Sequence, residues 1–110
     1  KIPPVLAPYK AAILPLIKKD GLPEKAREIM KELQFEYNLQ YDEKDSIGKR
    51  YRRQDAIGTP FSITIDHQTL EDNMVTVRDR DTMLQERISV KDLGGMIDKR
   101  ASWKTILANL

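Results

Sequence analysis

The sequence predicts an α/β domain in which helices pack on a mixed sheet. The apolar run Ala11–Leu16 is typical of a central strand that is covered on both faces. The segment Pro23–Asn38 repeats apolar residues at helical spacing. The segments Thr59–Asp66 and Met74–Asp81 alternate apolar and polar residues, as the strands of an antiparallel hairpin do. A chain of 110 residues suffices for one domain of this kind.

The composition excludes several classes of function. The net charge is only +2, so any case for nucleic-acid binding has to rest on local clusters of charge. There are no cysteines and one histidine, so disulfides and thiolate metal sites are excluded. No apolar run approaches the roughly 20 residues that span a bilayer, and prolines occupy the start of the chain, where a signal peptide would be apolar and helical. The nucleotide and zinc motifs GxGxxG, GxxxxGK[ST] and HExxH are absent.

The first half of the chain predicts a strand, a helix and a second strand. Pro15 is expected at the end of the first strand, because proline cannot donate a ladder hydrogen bond. The helix over Pro23–Asn38 has a proline and Glu24 in its first turn, where both are favoured. Leu39–Glu43 is predicted as a short strand. The apolar stripe expected to face the core consists of Ala26, Ile29, Met30, Leu33 and Tyr37.

The second half predicts further strands and a helical C-terminus. Leu70–Asn73 is predicted as a turn that joins the two strands of the hairpin. The stretch Met83–Val90 fits a further strand or the start of a helix, and its periodicity does not decide between them. The segment from Val90 to Leu110 is predicted to be helical in pieces, with a break or kink near Gly94–Gly95.

A cluster of positive charge follows the turn that contains Ser46, a residue suited to cap a helix. If Gly48–Ile57 is a short helix, its four cations spread over roughly half of the circumference, and Tyr51 and Asp55 share the remaining face. Arginine suits phosphate binding and base stacking. The alternative is a solvated face with one or two surface ion pairs. The four cations are Lys49, Arg50, Arg52 and Arg53.

The predicted hairpin carries polar side chains along one face. Arg78 and Arg80 share a face with Thr76, because alternate residues of a strand point the same way. With the polar residues of the adjacent strand they are expected to form an outward surface suited to reading unstacked RNA bases. An internal network that pairs the arginines with Asp55, Asp66 or Asp79 explains the pattern equally well. The polar residues of the adjacent strand are Ser62, Thr64 and Asp66, and His67 follows as a stacking or hydrogen-bonding ring.

Two stretches, "IGKRYRRQDAIGTPFSITID" and "VTVRDRDTMLQ", resemble the C-terminal anticodon-binding domain of dimeric class II glycyl-tRNA synthetases. The lead-in "APYKAAILPL" resembles the first strand of that domain. The resemblance extends from about Leu6 to the end of the chain. It implies a five-stranded mixed sheet flanked by about three helices, with residues 1–110 forming one domain and a catalytic domain lying upstream. The absence of an initial methionine agrees with a fragment.

The resemblance also implies a role. The domain is expected to hold the anticodon stem-loop of glycine tRNA in the cytoplasm, without a membrane, and to have no cofactor of its own. The parent catalytic domain would join glycine to the tRNA with ATP and magnesium. Family members are homodimers largely through that catalytic part, so the fragment can be monomeric. The alternative is a protein-interaction module, because the same fold serves in an accessory subunit of mitochondrial DNA polymerase.

Carried over position by position, the resemblance implies a set of RNA-facing residues. Tyr51, Asp55 and Gly58 match the family pattern as scaffold instead. Family members often have arginine at the position of Lys49, and phenylalanine or tyrosine at that of His67. The RNA-facing positions are Lys49, Arg52, His67 and Arg80, with Arg50, Arg53, Thr64, Asp66 and Arg78 as neighbours.

Overall fold

The computed structural model describes residues 9–34 and 37–108, with side chains up to Arg100. The N-terminal prolines of the sequence therefore lie outside the described residues. A five-stranded sheet forms the centre of the fold, in the spatial order β2-β1-β3-β4-β5. The strands are β1 (Ala11–Pro15), β2 (Leu39–Tyr41), β3 (Phe61–Ile65), β4 (Met74–Asp79) and β5 (Gln85–Ser89).

The pairing of the strands confirms the predicted mixed sheet. β1 pairs in parallel with both β2 and β3. β3 pairs antiparallel with β4, and β4 pairs antiparallel with β5. All five residues of β1 are buried, as a central strand covered on both faces requires, and Pro15 ends it as predicted.

Four α-helices and one short 3₁₀ helix surround the sheet in the described part of the chain. None of these helices combines the length and apolarity that crossing a membrane takes. The helices are α1 (Leu22–Leu33), α2 (Ile47–Ala56), α3 (His67–Asp72) and α4 (Leu93–Ala108), and the 3₁₀ helix is Val90–Asp92.

The apolar core lies between one face of the sheet and the helices α1 and α4. Alternate strand residues such as Ile13 and Ile63 point to this face and are fully buried. Ile29 of α1 and Leu93 and Ile97 of α4 belong to the same buried cluster. The opposite face of the sheet carries polar residues, and α2 packs on it.

Helix α1 ends five residues earlier than predicted. Asn38 already accepts a hydrogen bond from the backbone of Lys10, at 2.8 Å, in the approach to the β1–β2 ladder. The chain therefore has to leave the helix before this point. Tyr37 still reaches the core side as predicted, and its hydroxyl donates to the carbonyl of Gly94 at 2.8 Å. Residues 35 and 36 of the predicted helix lie outside the described residues.

The predicted turn at Leu70–Asn73 is wrong, because a helix connects β3 to β4. Asp66 caps this helix: its carboxylate accepts from the backbone N–H of Thr69 at 3.0 Å, and the Thr69 hydroxyl accepts from the backbone N–H of Asp66 at 3.1 Å. This reciprocal pair is a capping box. Asn73 ends the helix in a left-handed conformation, with φ +56°. The antiparallel pairing of the two strands is confirmed.

The C-terminal segment differs from the prediction in one respect. The 3₁₀ helix precedes α4, but α4 runs through Gly94 and Gly95 without a break. The side chain of Tyr37 lies against Gly94, where an added Cβ would be 3.6 Å from its hydroxyl. The undecided stretch Met83–Val90 contains a strand, β5.

Candidate nucleic-acid interface

Helix α2 begins directly after Ser46, the residue that the sequence predicted as its cap. The Ser46 hydroxyl accepts from the backbone N–H of Lys49 at 3.3 Å. The Ser46 carbonyl accepts from the backbone N–H of Arg50 at 3.0 Å. At the other end, Gly58 follows the helix with φ +85°, a conformation that glycine adopts at little cost. The basic run is therefore helical, and its residues divide between a face toward the sheet and a face toward solvent.

Arg50 faces the sheet. Only 2% of its surface is exposed, so the expectation that it belongs to the outer cationic face is wrong. Its guanidinium donates to the carbonyl of Leu16 at 3.0 Å, to that of Asp42 at 3.3 Å, and to that of Pro15. Burial lowers the pKa of Arg50, although the guanidinium stays charged at neutral pH. Arg50 thus anchors the start of α2 to the carboxyl ends of β1 and β2.

Arg53 is held by two carboxylates. Its Nη1 lies 2.7 Å from both carboxylate oxygens of Asp42, and its Nη2 lies 2.6 Å from Asp45. Gln54 donates a further bond to Asp42 at 3.1 Å. Burial alone would raise the pKa of Asp42, but the hydrogen bonds from Arg53, the Lys44 backbone and Gln54 lower it overall. Arg53 therefore stabilises the connection between β2 and α2.

The polar face of the hairpin lies underneath α2. The hydroxyls of Tyr51 and Thr64 share a hydrogen bond of 2.6 Å. Ser62, Thr64 and Arg78 are between 2% and 8% exposed. The predicted outward polar surface is therefore wrong, because α2 covers it.

Arg78 takes part in the internal network that the sequence left as the alternative. Its Nη1 donates to both carboxylate oxygens of Asp55, at 3.0 and 3.2 Å. Its guanidinium carbon lies 4.9 Å from the centre of the Tyr51 ring, within cation–π range. The scaffold role expected of Tyr51 and Asp55 fits these contacts.

Arg80 lies just beyond the end of β4. Its backbone N–H donates to the carbonyl of Pro60 at 3.0 Å. Its guanidinium donates to one carboxylate oxygen of Asp81 at 3.2 and 3.3 Å, and 12% of the side chain is exposed. An RNA acceptor would compete with this carboxylate for Nε and Nη2 of the arginine.

Asp66 and His67 lie at the other end of β3. One carboxylate oxygen of Asp66 caps α3, and the other accepts from Arg87 at 2.9 Å. Burial alone would raise the pKa of Asp66, but its bonds with Thr69 and Arg87 lower it. His67 is half exposed, and its ring nitrogen lies 2.9 Å from a carboxylate oxygen of Asp20.

His67 and Arg80 do not meet. His67 follows the carboxyl end of β3. Arg80 is hydrogen-bonded to Pro60, which precedes the amino end of β3. The backbone takes six steps from Pro60 through the five residues of β3 to Asp66, which spans about 20 Å at about 3.3 Å per residue. A single nucleotide base therefore does not contact both side chains in this arrangement.

Lys49 and Arg52 remain on the outer surface of α2. Both are exposed, and neither forms an ion pair among the residues that the structure describes. Of the predicted RNA-facing residues, these two cations have the open, unneutralised charge that a phosphate requires.

The sequence reasoning missed Arg87 as the anchor between β5 and α3. It donates to Asp66 and, at 2.8 Å, to the carbonyl of Met74. The sequence gives no clear signal for this role, because the periodicity of Met83–Val90 fits a strand and a helix alike. Within the described ranges no group of three acidic or histidine side chains could hold a metal ion.

The known proteins that this chain resembles decide its family. A family model described as "Anticodon binding domain" matches residues 10–100. The chain belongs to the anticodon-binding domain family. Its relatives include two proteins named glycine–tRNA ligase. That of Clostridium perfringens is 62% identical over 96 residues, and that of Rhodopirellula baltica is 50% identical over 105 residues. The matches cover 87% and 96% of the chain but 20% of each relative, so this anticodon-binding domain spans about a fifth of their length.

Solved structures confirm the predicted fold of the anticodon-binding domain. A prolyl-tRNA synthetase from Cryptosporidium parvum, in complex with L-proline and AMP, superposes with a TM-score of 0.86 at 21% identity. The match covers 94% of this chain and 23% of that one. The resemblance to the glycyl-tRNA synthetase domain, which was based on two motifs, is confirmed by the relatives.

Proposed function

We propose that the domain binds the anticodon loop of glycine tRNA as part of a glycine–tRNA ligase. The names of the relatives and their identities of 50–62% support this substrate. Glycylation with ATP and magnesium belongs, in this proposal, to a separate catalytic domain of a cytoplasmic, homodimeric parent. The domain supplies affinity and selectivity for the anticodon and holds no cofactor itself.

The observation that carries the proposal is the exposure of Lys49 and Arg52 on α2. Contacts to phosphates give an affinity that is independent of sequence and falls with salt. The two cations are one helical turn apart along the outer surface of a helix that is fixed to the sheet by Arg50 and Arg53. Their positions are thus set before the RNA arrives, which lowers the entropic cost of binding.

Base selectivity is assigned to the two ends of β3. Arg80 would exchange the carboxylate of Asp81 for an acceptor on a base edge, and His67 would contact a different nucleotide at the opposite end. Thr64 takes no part, because its hydroxyl is bonded to Tyr51 beneath α2. Asp66 serves mainly as the cap of α3 and the partner of Arg87.

Filter binding of the chain to glycine tRNA and to an anticodon-swapped tRNA, at two salt concentrations, tests the proposal. We expect tighter binding of the cognate tRNA and a steep loss of affinity with salt for both. Absence of salt-dependent binding to either RNA would contradict the proposal.

One observation favours a second candidate, a protein-interaction module. Met83 and Leu84 in the β4–β5 turn are 58% and 72% exposed, and such apolar residues suit a protein partner. Binding through a mostly apolar surface would depend little on salt. The same salt titration therefore separates the two functions.

A further inference from the structure

An apolar groove lies at the carboxyl ends of β1 and β2. It has a volume of about 490 Å³ and runs between the loop after β1 and the start of α2. Leu16, Ile17 and Ile47 give it its apolar walls. Ile17 is 39% exposed and lies along the same groove as Leu16 and Ile47, so the apolar surface here is clustered, as it is at interaction sites.

The groove lies where the chain departs to opposite faces of the sheet. The loop after β1 leads to α1 on the apolar core side, and the loop after β2 leads to α2 on the polar side. Diverging connections of this kind open a crevice at the carboxyl edge of an α/β sheet, and ligands bind preferentially in such crevices. The groove is separate from the end of β4 that carries Arg80.

The charge around the groove is positive on balance. Asp45 pairs with Arg53 at 2.6 Å. Glu43 accepts from the neutral hydroxyl of Tyr41 at 2.6 Å and keeps its negative charge, which Arg50 in the groove lining offsets. Lys18 lines the groove and Lys19 follows it. Both are exposed, and neither forms an ion pair within the described part of the chain.

We propose that this groove holds one unstacked nucleotide of the bound tRNA. The base would lie on Leu16, Ile17 and Ile47, and Lys18 and Lys19 would contact the adjoining phosphates. The occupant combines an apolar plane with negative charge, which matches apolar walls bordered by unneutralised lysines. This inference rests on the proposed function and adds a contact surface that the sequence motifs did not include.

The direct test compares two double variants that remove the same charge. Lys18→Ala/Lys19→Ala removes the lysine that lines the groove and the exposed lysine that follows it. Lys91→Ala/Lys99→Ala removes two exposed lysines on the 3₁₀ helix and α4, which border the opposite face of the sheet. The affinity for glycine tRNA is measured by filter binding over a range of salt concentrations. We expect the first variant to reduce the slope of log K against log salt by up to about 1.4, at about 0.7 per single-strand phosphate. The second variant should change it far less.

A third variant tests the apolar walls. Ile17→Ser should weaken binding severalfold while leaving the salt slope unchanged, since it removes no charge. An unchanged slope in the Lys18/Lys19 variant, or unchanged affinity in Ile17→Ser, would overturn the inference. If the unaltered chain binds glycine tRNA with steep salt dependence in that case, the proposed function stands without the groove. Loss of salt-dependent binding in the unaltered chain itself would instead reject the proposed function.

Discussion

Nη1 of Arg78 lies 3.0 and 3.2 Å from the two carboxylate oxygens of Asp55, and this ion pair ties β4 to α2. The Arg78 side chain is 9% exposed and that of Asp55 is 27% exposed. An arginine charge that is buried to this extent depends on its carboxylate partner, so the pair matters mainly through what its loss would leave behind.

Asp55→Ala should lower the free energy of unfolding by about 3 kcal/mol, because it leaves the buried guanidinium of Arg78 without its carboxylate. Urea unfolding measures this change. Glu28→Ala is the matched control, since Glu28 is 61% exposed in its pair with Lys25. That variant should change the stability by less than about 1 kcal/mol. Equal stability of the two variants would contradict the structural role of the Asp55–Arg78 pair.

Arg50→Met should destabilise the domain by at least about 3 kcal/mol, because three carbonyl groups at the carboxyl ends of β1 and β2 lose a charged donor. Arg50→Lys should recover only part of this loss, since a single ammonium cannot reproduce the planar fork. Thermal and urea unfolding give both values. Arg52→Ala, on the exposed side of the same helix, should stay within about 0.5 kcal/mol of the unaltered chain. A fully stable Arg50→Lys variant would contradict the requirement for the fork.

The carboxylate of Asp42 should make stability depend on acid. Its pKa in the folded state is lower than the unfolded value of 3.8, so its contribution is complete above about pH 5 and declines as the pH falls through that lowered pKa. The difference in unfolding free energy between the unaltered chain and Asp42→Asn should therefore be constant near neutral pH and shrink below about pH 4. Urea unfolding across this range measures it. A difference that grows as the pH falls would have the wrong sign.

Arg80→Ala should weaken binding of glycine tRNA by about 1–3 kcal/mol, on the scale of a bidentate base contact. It should also reduce the preference for the cognate over the anticodon-swapped tRNA. Competition filter binding with both RNAs measures the two effects together. Equal losses for cognate and swapped tRNA would exclude base reading by Arg80 and would leave only a phosphate or structural role.

The strands β3 and β4 and their antiparallel pairing could be predicted from the sequence, because period-two alternation reflects the different burial of the two faces of a strand. The strand β5 could not, because the periodicity of Met83–Val90 fits a strand and a helix alike. The burial of the polar face of β3 and β4 could not be predicted in the same way. Ser62 and Thr64 look like solvent-facing residues, but α2 supplies Tyr51 and Asp55 to satisfy the polar groups underneath it. Alternation shows that a strand has two different faces, and it does not show whether the polar face is covered.

The sequence also could not show which cations of the basic run face the sheet and which face solvent. Helical spacing placed its four cations around half of the helix, but it did not show which part of that arc meets the sheet. Arg50 turned inward because backbone carbonyls at the ends of β1 and β2 accept its hydrogen bonds, and Arg53 turned toward Asp42 and Asp45. The carbonyl of Leu16 is far from Arg50 in the sequence, and helical spacing does not bring Asp42 and Asp45 next to Arg53. Only the tertiary fold brings these partners together.

The salt dependence of tRNA binding by Lys49→Ala/Arg52→Ala tests the central claim most directly. Slopes of log K against log salt are measured for the unaltered chain and the double variant with glycine tRNA and the anticodon-swapped tRNA. We expect the slope to fall by about 1.4–1.8 for both RNAs, because two phosphate contacts are lost at about 0.7–0.9 each. The preference for the cognate tRNA should persist. A slope equal to that of the unaltered chain would contradict the claim that α2 holds the RNA backbone.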